Sequence, residues 1–324
     1  MFKLLRTNAL KLALAIVALA VGTPTVSANP TGVFTIIVPV GPGSGGDNFA
    51  RFFAPKLSEA LGQPVIVENR PGADTWIGVQ SLLSAPSDGK SMLLISGAST
   101  VMLPLINTKI NYVPTRDIQP LVTFSRYEAA LVTVPGLPYT TPEALFSAAR
   151  TKPRSVSVGN YGTSYQLGLI DLERLANVEF NIVSYKSATA VISDVIGGHI
   201  ETALVELGAA MPFIKSGKLH AVAIAGVKRH PELPSVPTLV ESGFPKFTVQ
   251  PWTGFGIRAG TPDAVARKLE STLLSIIATP QYRSFALSYG ADPSGLDHNQ
   301  TADLIKVETA RYADLIKLSN SRGR

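Results

Sequence analysis

Short apolar runs rich in β-branched residues alternate with segments of helical period along most of this 324-residue chain. A chain with this pattern buries its strands in a sheet and covers the sheet with helices, which is the α/β class. We predict strands at 34–40, 65–67 and 91–95, separated by helices at 47–61 and 75–83. This β-α-β-α-β half predicts a parallel sheet.

The same pattern restarts at residue 129. The predicted strands of this second half are 129–134, 155–158, 182–185, 203–205 and 220–225. Its predicted helices are 141–150, a helix that follows the 159–164 turn and ends at 175, and 188–196. The chain then returns through a predicted strand at 252–257 and ends in helices at 264–277, 281–287 and 299–318. We therefore predict two doubly wound lobes.

Residues 1–28 have the features of an export signal. Basic residues lead into the apolar run 12–21, and Val26-Ser27-Ala28 supplies the small residues that a signal peptidase needs. The apolar run is about half of the roughly 20 residues needed to span a bilayer. We therefore predict cleavage near Ala28 and a mature protein that is soluble in the periplasm, where nucleotide cofactors are scarce.

The composition argues against several functional classes. Without the three basic residues of the leader, 26 Lys and Arg face 23 Asp and Glu. The basic residues are scattered, so we expect no nucleic-acid partner. The chain has no cysteine, and its four histidines show no H-x-x-x-H or H-E-x-x-H spacing. We therefore expect neither thiol catalysis nor a metal centre, and no cofactor.

A glycine-rich turn between the first predicted strand and helix is the strongest local motif. Gly41-x-Gly43-x-x-Gly46 satisfies the G-x-G-x-x-G pattern, and Glu68 lies 22 residues further on, as in dinucleotide-binding sites. Because the export signal predicts a compartment poor in nucleotides, we favour a small anion as the ligand. Unobstructed backbone N–H groups at a helix N-terminus suit a carboxylate as well as a phosphate.

A second turn, Tyr161-Gly162-Thr163-Ser164, precedes a predicted helix of the second lobe. Two helix N-termini from two lobes would then face one cleft and suit a ligand with two carboxylates. The two turn serines, Ser44 and Ser164, act either as hydroxyl donors to a ligand or as turn and cap residues. Neither lies in a G-x-S-x-G elbow or near a histidine in sequence, which weakens a serine hydrolase without excluding it.

Beyond these turns, short motifs recur along the chain in the order found in one known family. They include Val38-Pro39, Gly46-Asp47, the runs 57–65 and 67–73, Gly162-Thr163-Ser164, Tyr185-Lys186, the runs 216–219, 233–238 and 241–245, and Trp252-Thr253-Gly254. Over residues 34–310 the chain resembles the Bug family, the extracytoplasmic solute-binding receptors of tripartite tricarboxylate transporters.

The resemblance implies a type II periplasmic-binding fold, with two α/β lobes joined by crossover strands that close on a small ligand without cofactor or catalysis. We accordingly expect residues 29–128 and 246–324 to form the first lobe and 129–245 the second. Carried over by position, the ligand-binding residues are Gly43, Ser44, Gly45, Gly46, Asp47, Ala73, Asp74, Thr75, Trp76, Gly162, Thr163, Ser164, Lys186 and Ser187.

Departures from the family pattern bear on the ligand. Many relatives carry Gly-Gly-Asn where this chain has Asp74-Thr75-Trp76. Trp76 either lines the cleft, where it would favour a flat or aromatic ligand by stacking, or packs the start of its helix. Asp47 either caps its helix or faces the cleft, where it would repel a second anion and favour a ligand with an amine or hydroxyl.

We therefore expect a monomeric periplasmic receptor that binds a small carboxylate-bearing metabolite and delivers it to the permease subunits of a tripartite transporter. One alternative is an exported serine hydrolase that uses a serine of a glycine-rich turn. Another is an orphan receptor that feeds a sensor kinase. The sequence leaves aliphatic, aromatic and amino acid carboxylates open as ligands.

Overall fold

Two β-sheets organise the part of the chain that the computed structural model describes, which is residues 32–107, 109–110, 112–245 and 247–321. The predicted export signal and its cleavage site near Ala28 lie outside the described residues. Within the described ranges, every helix is too short or too polar to cross a bilayer.

Eleven strands form the two sheets of the described chain. They are β1 (Phe34–Val38), β2 (Val65–Asn69), β3 (Ser91–Ser96), β4 (Ile118–Arg126), β5 (Ala129–Thr133), β6 (Ser157–Tyr161), β7 (Asn181–Tyr185), β8 (Thr202–Glu206), β9 (His220–Ile224), β10 (Trp252–Arg258) and β11 (Asp292–Leu296). The first sheet has the order β11-β4-β10-β3-β1-β2 and the second the order β7-β6-β8-β5-β9. The α/β fold of two doubly wound halves is therefore confirmed.

Helices connect and cover these strands. They are α1 (Gly45–Leu61), α2 (Trp76–Ser84), α3 (Leu103–Ile106), α4 (Pro114–Asp117), α5 (Pro142–Thr151), α6 (Gly162–Ala176), α7 (Ala188–Ile196), α8 (Leu207–Lys215), α9 (Asp263–Ile277), α10 (Pro280–Ser288) and α11 (His298–Ser321). A turn of 3-10 helix, Ala73–Thr75, precedes α2, and a π-helical segment, Ala98–Met102, precedes α3.

Aromatic packing holds α1 against the first sheet. Phe49, Phe53 and Leu57 on one face of α1 are fully buried, as their helical spacing predicts. Phe49 stacks on Phe124 of β4 with ring centroids 5.3 Å apart. Gly62 ends α1 in the left-handed conformation (φ 64°), the geometry that glycine adopts without strain. The helix predicted at 47–61 is therefore confirmed, and it begins two residues earlier, at Gly45.

The expectation of parallel sheets is correct for only part of each sheet. Strands β1, β2 and β3 are parallel neighbours, as are β6, β7 and β8. In contrast, β10 is antiparallel to both β3 and β4, and β5 is antiparallel to β8 and β9. The chain leaves the first sheet on β4 and returns on β10, so these two neighbours run in opposite directions. Apolar runs in the sequence carry no information about strand direction.

Several elements were absent from the sequence prediction. They are β4, α8, β11 and the segment from the π-helix to α4. Pro120 in β4 and Pro293 in β11 disguise their strands, because proline is rare inside sheets. Strand β11 lies at the sheet edge, and Pro120 lies beyond the part of β4 that pairs with β11, so both prolines are tolerated.

The connection between the two sheets is short. Only Tyr127 and Glu128 separate β4 from β5. The backbone N–H of Tyr127 donates to the carbonyl of Pro251, 2.8 Å away, directly before β10. The outgoing and returning chain segments are therefore hydrogen-bonded to each other where they pass between the sheets. The assignment of residues 29–128 with 246–324 and of 129–245 to separate lobes stays a prediction.

Candidate ligand-binding cleft

A cavity of about 320 Å³ lies where segments that follow three parallel strands meet. We call it the cleft cavity. Its lining residues are Asp74, Thr75, Ala98, Met102, Leu103, Ile106, Tyr161, Gly162, Thr163, Ser164, Tyr165 and Pro251. The segments follow β2 and β3 of the first sheet and β6 of the second. The carboxyl ends of strands are where open α/β sheets bind their ligands.

The second-sheet wall of the cleft cavity is the start of α6. Tyr161 is the N-cap of this helix and makes no side-chain capping hydrogen bond. Gly162 has φ +72°, a conformation open to glycine but strained for most other residues. The first N–H groups of a helix have no intrahelical acceptor and carry partial positive charge. The turn therefore presents donors to the cavity, and the hydroxyls of Thr163 and Ser164 line it beside them.

A strained turn forms part of the first-sheet wall. Ala73, Asp74 and Thr75 have φ values of 45°, 52° and 82°, a left-handed run that residues with a Cβ rarely adopt. Glycine at positions 74 and 75 would adopt it without strain. Thr75 Oγ1 is buried and has no hydrogen-bond partner among the described residues. Strain and an unsatisfied hydroxyl are both typical of functional sites.

An apolar surface completes the first-sheet wall. It consists of Ala98 and Met102 of the π-helical segment with Leu103 and Ile106 of α3. Ser164 Oγ lies 3.9 Å from Met102 Sδ, so the two walls touch at this point. The sequence prediction missed this surface. The signal was present, because the run of small residues 96–100 directly follows the third parallel strand, and π-helical turns are frequent at functional sites.

The first glycine turn is built around Asp47. Ser44 is the N-cap of α1 and accepts a hydrogen bond from the Asp47 N–H at 3.3 Å. The Asp47 carboxylate is 2 % exposed and accepts hydrogen bonds from Gly43 N (2.9 Å), Arg51 Nε (2.9 Å) and Asn69 Nδ2 (3.0 Å). Burial acts to raise the pKa of Asp47, but the hydrogen bonds outweigh it and lower the pKa. The contacts favour the capping role for Asp47.

Several other predicted site residues lie outside the described lining of the cleft cavity. They are Gly43, Ser44, Gly45, Gly46, Asp47, Ala73, Trp76, Lys186 and Ser187. Trp76 stacks on Tyr112 with ring centroids 5.5 Å apart, which favours the packing interpretation. Ser187 caps α7 by accepting from Ala190 N, and Lys186 is exposed. The structure brings together Asp74, Thr75, Gly162, Thr163 and Ser164.

Sequence comparison identifies the family. A family model described as "Tripartite tricarboxylate transporter family receptor" matches residues 49–320, which is most of the chain. The chain belongs to this receptor family. The resemblance to Bug proteins is thereby confirmed.

Individual relatives of this receptor match along nearly its whole length. The UPF0065 protein of the tcbD-tcbE intergenic region of Pseudomonas sp. strain P51 is 32% identical over 311 residues, which cover 94% of this chain and 92% of the relative. BugT of Bordetella pertussis strain Tohama I is 28% identical over 99% of each chain. A solved R. palustris protein with adipate is 26% identical, with a TM-score of 0.74, and the match covers 90% of this chain and 98% of that one.

Membership of the family makes the protein a solute-binding receptor and not an enzyme. The serine hydrolase alternative is therefore wrong. The contacts of the two turn serines agree with this, since Ser44 caps α1 and Ser164 contacts Met102.

In this receptor an acidic group lies behind the cavity wall. The rings of Tyr161 and Tyr165 pack with centroids 4.8 Å apart, and Tyr161 OH lies 3.3 Å from Glu206 Oε2. Burial raises the pKa of Glu206 to about 7. The tyrosine pair therefore separates the cavity from a carboxyl group that titrates near neutral pH.

A group of three metal-capable side chains lies elsewhere in the described chain, at Glu270, Asp297 and His298. Glu270 Oε1 accepts from the backbone N of His298 at 2.9 Å and lies 2.8 Å from its ring Nδ1. These hydrogen bonds fix the start of α11 against α9.

Proposed function

We propose that this receptor captures a small carboxylate-bearing metabolite in the cleft cavity and delivers it in the periplasm to the membrane permease of a tripartite transporter. The observation that carries the proposal is the uncapped start of α6, whose first residues line a solvent-open cavity between the two sheets and bring backbone and hydroxyl donors to it. The related R. palustris protein was solved with adipate, a carboxylate. We propose that a ligand of this chemical class occupies the corresponding place here.

In this proposal a ligand carboxylate accepts hydrogen bonds from the first N–H groups of α6 and from the hydroxyls of Thr163 and Ser164. Thr75 Oγ1 on the opposite wall then gains the partner it lacks. Hydrogen bonds to charged groups contribute roughly 1.5–3 kcal/mol each. Four of them contribute about 6–12 kcal/mol. Burial of the apolar part of the ligand must therefore add to them to reach the about 8 kcal/mol of a micromolar complex after the cost of association.

We further propose that the ligand closes residues 29–128 and 246–324 against residues 129–245, and that the permease reads the closed form of a monomeric receptor. The predicted contacts at Gly43–Asp47, Ala73, Trp76, Lys186 and Ser187 have no place in the described lining. We propose that Gly43–Asp47 and Trp76 support the cavity by fixing the loops and helix starts around it.

A thermal-shift screen of organic acids tests the proposal. A ligand at 100 times its Kd stabilises the folded protein by about 2.7 kcal/mol, and mass spectrometry should recover the ligand unchanged. Ser164→Ala should weaken the shift by removing one hydroxyl donor. The matched control Ser275→Ala, on the exposed surface of α9, should leave it intact. Absence of a stabilising acid across the panel, or equal effects of the two variants, contradicts the proposal.

A further inference from the structure

We infer that the cleft cavity selects a ligand with one carboxylate on an apolar body and rejects ligands with a second carboxylate at the far end. The inference rests on the proposed function, since it names the class of acid that the receptor binds. It departs from the expectation that two helix N-termini face one cleft and hold two carboxylates.

One set of residues that line the cleft cavity suits an anion. The uncapped N-terminus of α6 supplies backbone donors there, and this helix has 15 residues. Independently of the helix, the lining residue Thr75 carries a hydroxyl, Oγ1, that is buried and has no hydrogen-bond partner among the described residues. A single carboxylate with two oxygens satisfies donors from both walls. The helix that would supply a second anion site, α1, contributes none of the described lining residues.

The rest of the cavity is apolar. Met102, Leu103 and Pro251 line it together with Ile106 and the two tyrosine rings. The described lining contains no lysine, arginine or histidine. A second carboxylate placed here would lose its hydration without gaining a cation or a set of donors, which is the costly case for a buried charge. An aliphatic chain or an aromatic ring gains burial against the same surface.

The charges around the cavity add to this selection. Asp74 is the charged residue among the described lining residues, and it is exposed at the rim. Glu206 lies behind Tyr161 at hydrogen-bonding distance. Burial raises the pKa of Glu206 to about 7, so this group is partly ionised at neutral pH. No lining cation offsets the two carboxyl groups, so their field opposes a ligand with two negative charges more than a ligand with one. Asp74 is thus a specificity-determining residue in this inference.

Matched pairs of acids test the inference at neutral pH by isothermal titration. Hexanoate and adipate share six carbons and differ by one terminal carboxylate, and benzoate and terephthalate form the aromatic pair. We expect the monoacid of at least one pair to bind about tenfold or more tightly than its diacid, which corresponds to about 1.4 kcal/mol. Tighter binding of the diacids overturns the inference and leaves the receptor function standing. Failure of all four probes also overturns it, whereas failure of the wider acid panel overturns the proposed function as well.

A variant of Asp74 tests the effect of its charge on binding separately from the effect of the apolar wall. Asp74→Asn keeps the side-chain shape and tolerates the left-handed conformation. We expect it to improve diacid binding several-fold more than it improves monoacid binding, because a diacid carries two charges that the Asp74 carboxylate repels. The control Asp314→Asn removes an exposed charge of α11 that is absent from the lining, and it should change neither. Equal affinity changes for both acid classes in the Asp74 variant would refute the role assigned to this carboxylate.

Discussion

Removal of the Asp47 charge should destabilise the receptor in a strongly pH-dependent way. Asp47→Asn keeps the side-chain volume, but an amide has one acceptor oxygen in place of two. Gly43 N–H and the Asn69 amide both donate to the carboxylate, so one donor loses its partner in a position that is 2 % exposed. An unsatisfied buried donor costs about 1–3 kcal/mol. We therefore expect the free energy of unfolding to fall by about 2 kcal/mol at pH 7.

The pH dependence follows from the direction of the pKa shift. Hydrogen bonds from Arg51, Gly43 and Asn69 hold the folded-state pKa of Asp47 below its ordinary value of 3.8 despite burial. The ionised form therefore stabilises the fold above that ordinary pKa, and this contribution is lost as the pH falls through the folded-state pKa. Urea unfolding at pH 7 and at about pH 2.5 should show a difference between wild type and Asp47→Asn that shrinks in acid.

A matched control exists in another helix. Asp263 lies in the first turn of α9 and faces Arg267 four residues later, as Asp47 faces Arg51, but the side chains of Asp263 and Arg267 are both largely exposed. Asp263→Asn should change the free energy of unfolding by less than about 0.5 kcal/mol, as is usual for surface sites. A loss at Asp47 that is the same at both pH values, or no larger than the loss at Asp263, would refute the reasoning.

Three further variants test other parts of the structure. Thr75→Gly should raise the free energy of unfolding by about 1 kcal/mol in urea titrations, because glycine adopts φ +82° without strain. The same variant should bind the ligand more weakly, as measured by calorimetry, because the unpaired hydroxyl is lost. Glu206→Gln should stabilise the protein more at pH 8 than at pH 5. Burial raises the folded-state pKa of Glu206 to about 7, so the stability of the wild type falls as the pH rises towards that value. A stability difference between variant and wild type that is the same at both pH values contradicts this prediction. Gly208→Ala should lower the free energy of unfolding by about 1–3 kcal/mol in the same titrations, because a Cβ there would lie 2.6 Å from the Gly290 Cα. Unchanged stability would contradict this prediction and show that the backbone moves apart.

Helices with regularly spaced apolar residues were predictable from the sequence, because this spacing is the main local signal of a helix that packs against a core. The faces of α1 and α7 follow from helical spacing, and their bounds agree with the structure within two residues. Local chemistry also marks helix ends, since a glycine, Gly62, follows α1 and a capping threonine, Thr141, precedes α5. In contrast, strand direction depends on which sheet the chain enters, so the antiparallel placement of β10 was beyond local patterns.

The candidate site also contains both residues that the sequence predicted and residues that it did not. The turn Gly162–Ser164 was found because glycine and hydroxyl residues stood between a strand and a helix, and it lines the cleft cavity. The same reasoning selected Gly43–Asp47, yet the Asp47 carboxylate there accepts hydrogen bonds from its own loop and helix and from Asn69 of β2. The apolar wall at Met102 and Ile106 looked like ordinary core sequence. Only tertiary structure distinguishes an apolar residue that packs against protein from one that faces an empty volume.

The two-residue step between β4 and β5 limits how one sheet can turn relative to the other. Because Tyr127 and Glu128 are the only residues between the two strands, a rotation here changes the backbone torsion angles of these two residues. The hydrogen bond from Tyr127 N–H to the Pro251 carbonyl couples the returning segment to the same change. Glu128 Oε2 is buried at this pivot without a hydrogen-bond partner among the described residues. A rotation of one sheet relative to the other at this connection would therefore change the solvation of a buried carboxyl group.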